Sequence, residues 1–382
     1  MAERGAFEPP LASPAAAGAA AVRPTYGGPA AQHALTSGDA SHATSATGAL
    51  AALIARLLDT PAMHAKRSIQ RPARALHRAL PAGDPAAYAL PGDDCAAIRC
   101  ADGYQLFAIE GMLPAFVEAA PWFAGWSAVM ANVSDIAAMG GRATAVVNAW
   151  WHHDAAAVDA LLAGMRDACD AYGLVLAGGH SSFAQGHPGT LAVAIIGHAT
   201  RLLSTLHVAS GQRLCMAVDL DGHWHQDAAY WKAFEGVSAV RLRAKLEVLP
   251  RLADAGLLIA AKDISNAGVL GTLMMLLEPT GCGADLDLAA LPAPADGDLE
   301  RWLQAFPSYG FLLTLNDADL AVVQAAFAFE GICCEPVGRI NASGKLRART
   351  LGDSAEVWDM RAQAFTGFQR QAIVQGEPAC PP

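Results

Sequence analysis

The chain has 382 residues, 53% of them hydrophobic, enough for two domains with sizeable cores rather than a small stapled scaffold. Its 26 basic and 36 acidic residues give a formal net charge of −10 without any basic run, which argues against nucleic acid as a partner. Eight cysteines lie scattered with no CxxC pair or zinc spacing, and no window reaches about 18 apolar residues free of charge or turn signals, so no membrane span is expected and a cytoplasmic protein with reduced thiols is.

Residues 1–46 are mostly Ala, Gly, Pro, Ser and Thr and are predicted to form a disordered tail. Apolar residues then recur at helical spacing over 50–58, and a basic amphipathic stretch at 66–80 (KRSIQRPARALHRAL) is expected to be interrupted by Pro72. GDDCAAIRC and YQLFAIE predict two strands with an acidic turn, and AGWSAVMANVSDIAAMGG predicts a helix of about four turns stopped by Gly140 and Gly141. TAVVNAWWHH is strand-like, 154–173 helical and LAVAIIGHAT a strand, which together predict an α/β (α+β) domain over 47–205. A second block over 206–350 carries a charged helix (RLRAKLEVLPRLADAG), a strand (LLIAAKDIS), a glycine-punctuated helix (GVLGTLMMLLEPTGCG) and the strands YGFLLTLN and VGRINASGKL. Residues 351–382 are expected to be a C-terminal tail.

Four places set carboxylates or glycines beside apolar runs, as a metal–phosphate site on a packed scaffold requires. Asp93 and Asp94 repel each other in a turn unless solvated or neutralised by a cation. Asp135 lies in an otherwise apolar helix, near Asn132 and Ser134, and either meets a partner or faces solvent. Gly178 and Gly179, followed by His180 and Ser181, predict a short turn after a strand, where backbone N–H groups approach an anion or simply close a loop. Asp263, Ser265 and Asn266 form a polar turn before a helix, fit either for chemistry or for capping that helix.

Taken together, GDDCAAI, FAIEGMLPAF, PWFAGWSAVMANVSDIAAMGGRA, AGGHSSFAQGHPGTLAVAIIGHA, KDISNAGVLGTL and YGFLLTL resemble the aminoimidazole-ribonucleotide synthetase (PurM-like) superfamily. That superfamily includes selenophosphate synthetase, thiamine-monophosphate kinase, the dehydratase HypE and formylglycinamidine synthetase. The resemblance implies a two-domain fold, an N-terminal dimerising ATP-binding domain and a C-terminal α/β domain, with ATP and Mg²⁺ in a cleft between them. It implies metal ligation by Asp93, Asp94, Asp135 and Asp263, with Glu110 in place of the usual Asp and reaching one methylene further. It implies nucleotide contacts from Asn132, Gly178, Gly179, Ser181, Ser265 and Asn266. His180 agrees with the GGHS of selenophosphate synthetase, and Lys66 lies at the distance of that enzyme's catalytic lysine, though Met63 stands where its Cys or selenocysteine would be. Lys66, His180 and Asp263 are accordingly the catalytic candidates.

The function so implied is an ATP- and Mg²⁺-dependent enzyme that activates an amide, carboxylate or similar oxygen of a small molecule by phosphoryl transfer, with dehydration or cyclisation as the outcomes open to the activated species. A homodimer is the expected assembly. Two alternatives stand beside it: a thiamine-monophosphate-type kinase, against which His180 speaks, and a non-catalytic nucleotide-binding scaffold subunit, which Glu110 and the Ser182-Phe183 pair after GGHS favour.

Overall fold

The computed structural model describes residues 48–76, 92–183, 185–295 and 298–368. The tail expected at 1–46 lies outside them. Three helices come first: α1 (Ala49–Leu58), α2 (Pro61–Ser68) and α3 (Gln70–Leu76). Thr60 caps α2, its Oγ1 accepting from the Met63 N–H at 3.4 Å, with Pro61 in the first turn, where a missing N–H is harmless. The interruption expected at Pro72 falls instead at Ile69; Pro72 sits in the opening turn of α3 for the same reason. Leu50, Ile54 and Leu57, three or four apart on α1, and Met63 on α2 are buried in one core with Leu273, Trp302 and Phe365. Among the described residues these four α1 and α2 side chains share a core with residues from Val208 onward, whereas the expected N-terminal domain began at residue 47.

The N-terminal sheet contains β1 (Ala96–Cys100), β2 (Gly103–Met112), β3 (Arg142–His152), β4 (Val175–Phe183) and β5 (Thr190–Ala199), in the order β1-β2-β5-β3-β4. All neighbours are antiparallel except β3 and β4, which run parallel at one edge. The crossover a parallel pair requires is α6 (Ala155–Tyr172), after α4 (Pro114–Ala119) and α5 (Pro121–Ala138). Helix α5 is apolar nearly all round and accordingly enclosed: Val129, Val133 and Ile136 pack among Leu106, Leu161 and Val193. Gly140 ends it with φ +78°, and a Cβ there would lie 2.8 Å from the Arg201 carbonyl oxygen, so both backbone conformation and crowding require glycine. The other face of this sheet is open and apolar, exposing Ile98, Phe107, Ile109 and Val147.

The C-terminal sheet has seven strands in the order β15-β14-β10-β13-β6-β12-β9. They are β6 (Arg213–Val218), β9 (Ala260–Asp263), β10 (Gly283–Asp287), β12 (Gly310–Leu315), β13 (Cys333–Asn341), β14 (Lys345–Arg349) and β15 (Ser354–Asp359). A small sheet of β7 (His223–Trp224), β8 (Tyr230–Lys232) and β11 (Phe306–Pro307) stands apart from it. The charged helix expected after residue 238 is two helices, α7 (Ala239–Leu246) and α8 (Val248–Asp254), followed by α9 (Gly268–Leu277), α10 (Leu299–Leu303) and α11 (Leu320–Phe329). The tail expected from 351 is a second correction. Residues 354–359 form the edge strand β15, and the buried Glu278 carboxylate accepts from the N–H groups of Phe365, Thr366 and Gly367 at 2.6, 2.8 and 3.0 Å. Residues 369–382 lie outside the described part.

Candidate active site

Four segments deliver carboxylates to one cleft between the domains. Asp94 comes from the turn before β1, Glu110 from β2, Asp135 from the last turns of α5 and Asp263 from the end of β9. Oxygens of Asp94, Asp135 and Asp263 lie within 4.8 Å of one another. Such crowding is unfavourable when all are ionised, and the structure answers it in two ways. Lys262 donates to the Asp94 carboxylate, both side chains being 5% exposed, while the Asp263 N–H donates to the other Asp94 oxygen at 3.2 Å. Burial alone would lower the Lys262 ammonium's pKa, but Asp94 and Asp263 reverse that and push it up.

The remaining acids are driven toward their protonated forms. Burial, followed by the neighbouring Asp263, Glu110 and Asp94 charges, holds Asp135 well above the usual carboxylate range. Burial and Asp94 push Asp263 up to about 8 against the pull of Lys262 and Lys66. Glu110 is also raised by burial, with Lys66 opposing. Shifts of this kind concentrate where groups are arranged for metal binding or proton chemistry.

Lys66, on α2, lines the same cleft with its Nζ 3.4 Å from Ser265 Oγ. The turn 264–267 passes beneath it, and Ala267 adopts φ +83°, a left-handed conformation that is costly for a residue with a Cβ. No side chain of that turn caps α9, so the capping alternative for Asp263, Ser265 or Asn266 is not taken up. Asp263, Ser265 and Asn266 all line the cleft instead.

Residues 92–199 match the family described as AIR synthase related protein, N-terminal domain, and residues 211–350 match the C-terminal domain of AIR synthase related protein. The chain belongs to the AIR synthase related family. Uncharacterized protein sll0787 of Synechocystis is 39% identical to it over 83% of this chain and 98% of its own length. The thiamine-monophosphate kinase of Halobacterium salinarum is 32% identical over 44% of this chain and 58% of that protein. Among solved structures, T. maritima PurL complexed with ATP superposes with a TM-score of 0.61 at 17% identity, over 72% of this chain and 46% of that one, a likeness of fold.

Within this AIR synthase related chain the remaining expected residues divide. Asp93 borders the cleft, but its carboxylate is taken up by Ser204 Oγ at 2.5 Å and by the Thr205 N–H and Oγ1 at 2.9 and 2.5 Å. These bonds tie the turn before β1 to residues 204–205. Asn132 is fully buried, and its Nδ2 donates to the carbonyls of Ala128 and Val193 at 2.7 and 2.9 Å. Gly178, Gly179, His180 and Ser181 are not a turn. They lie inside β4, where Gly178 and Gly179 at φ +125° and +156° accompany a register shift against β3, and His180 is exposed with its ring 5.3 Å from that of Trp151. Within one protomer they do not line the carboxylate cleft. Lys262 is the residue that motif reading passed over; its place directly before Asp263, at the end of an apolar strand, was the available signal.

Proposed function

We propose that this chain is an ATP- and Mg²⁺-dependent enzyme that activates an oxygen of a small molecule by phosphoryl transfer. One observation carries the reading: Asp94, Glu110, Asp135 and Asp263, from four separate segments, converge on a cleft that Lys66 also enters. An all-carboxylate donor set suits a hard divalent cation and offers nothing to a soft one, so the residues fit Mg²⁺, with Asp94, Asp135 and Asp263 holding it. Bound there, Mg²⁺ would neutralise charge on the nucleotide phosphates.

The chain's own groups then have distinct tasks. Lys262 holds the Asp94 carboxylate in place through their ion pair, and Lys66 donates toward the oxygens of the transferred phosphoryl group, where negative charge is redistributed. The acceptor oxygen bonds to the γ-phosphorus as the bond from that phosphorus to the β,γ-bridging oxygen breaks, and ADP leaves. Two copies joined through the open apolar face of the N-terminal sheet complete the proposal, supported by the exposure of Ile98, Phe107 and Ile109.

Isothermal titration of Mg²⁺-ATP into the wild type and into Asp135→Asn tests the reading. Micromolar binding that falls at least tenfold in the variant is expected. A wild type that binds no nucleotide would remove phosphoryl transfer and favour a scaffold role.

A further inference from the structure

Beside the carboxylate cleft lies a second chamber, enclosing with its solvent-open mouth about 670 Å³. Glu110, Ala131, Asn266 and Phe306 line both, so the two chambers share a wall. The carboxylate chamber is polar and cation-binding in character, whereas the second is an aromatic box. Phe123 stands at its centre, with ring centroids 5.3 Å from Phe116, 6.1 Å from Phe234 and 6.3 Å from Tyr230, and Phe306 lies 6.3 Å from Tyr230. Met112 and Met130 complete the apolar lining.

The charge of the box is as informative as its apolarity. Lys232 is the one cation among its described lining residues, and it is already satisfied: its Nζ donates to Glu235 at 2.7 Å and lies 4.1 Å from the Phe123 ring centroid. A phosphate or carboxylate entering the box would find no uncommitted cation among these residues, which disfavours anions. Ser127, Asn266 and Ser308 offer neutral polar atoms to orient a guest.

We infer that this chamber holds the phosphoryl acceptor and that the acceptor is an uncharged aromatic small molecule, its ring in the box and its oxygen toward the Glu110–Asn266 wall that the two chambers share. The acceptor role rests on the phosphoryl-transfer reading above; the ligand class rests on the lining alone.

Titration calorimetry with indole-3-acetamide, acetamide and thiamine monophosphate, each with and without Mg²⁺-ADP, tests it. Indole-3-acetamide should bind at least tenfold more tightly than either of the others. Ser127→Trp, which fills the box, and Phe306→Ala, which opens its wall, should each weaken that binding at least fivefold while Mg²⁺-ATP affinity stays within twofold in Ser127→Trp, a residue that lines the box and not the carboxylate cleft. Preference for thiamine monophosphate, or no binding of the indole probe, overturns the assignment. So does selective loss of Mg²⁺-ATP affinity in Ser127→Trp, which would give the box to the adenine. If the indole probe binds but Mg²⁺-ATP does not, the ligand class stands and the phosphoryl-transfer reading falls.

Discussion

Asp263 shows what crowding acids in a buried cleft does to their protonation. Its pKa is raised to about 8, first by burial and then by Asp94, whereas an unfolded chain would give about 3.9. Between these values the folded state holds a proton that the unfolded state does not, so the contribution to stability is full below the lower value and is lost as pH rises toward the upper one. Without divalent ions, the melting temperature should therefore fall between about pH 5 and pH 8, and Asp263→Asn should flatten the slope. A melting temperature that climbs across this window would contradict the assignment. Lys262 bears the complementary burden: Lys262→Met leaves Asp94 buried among acids without its partner, and a loss of about 3–5 kcal/mol in urea unfolding is expected, partly regained with Mg²⁺. The acids were legible from their motifs, but their protonation was not, because it depends on which neighbours the fold brings within a few ångströms.

At the scale of elements, α5 is the centrepiece and also the place where sequence pattern carries least information. Its apolar residues run around the whole circumference, which announces burial but gives no facing direction. Asn132 and Asp135, three residues apart, are neighbours on the helix surface, yet one ties α5 to β5 and the other enters the cleft. Asn132→Ala removes the donor shared by the Ala128 and Val193 carbonyls, so a destabilisation of about 1–3 kcal/mol by denaturant unfolding is expected, with Mg²⁺-ATP affinity unchanged in the folded protein. An affinity loss above tenfold in a well-folded variant would return Asn132 to the nucleotide site. β4 teaches the same lesson from the other side. Two glycines suggested a turn, but a strand absorbs positive φ by slipping register, and only the pairing with β3 distinguishes the outcomes.

At the scale of the molecule, the alternation of strands and helices made two α/β units readable, while the partners of the first helices were not. An amphipathic stripe states that a face is buried, never against what, and α1 and α2 turn out to complete the core of the more distant domain. The open face of the N-terminal sheet yields a further expectation. Ile109→Lys, at a residue 68% exposed in the single chain, should convert a dimer to a monomer in sedimentation analysis without lowering the melting temperature of the isolated fold. A monomeric wild type would refute the interface. The first and last described segments also clasp each other: Gln70 Nε2 donates to the carbonyls of Ala364 and Phe365, each at 3.0 Å, and the Arg67 guanidinium lies over the Trp358 ring. This closure imposes an order on synthesis. The strands of the N-terminal sheet all emerge by residue 199, so that sheet pairs early, whereas the C-terminal core must await its final strand although its opening helices left the ribosome first. A nascent chain stalled before residue 354 would thus carry a finished sheet and Asp135, while Lys66 waited on helices whose clasp had not yet been made.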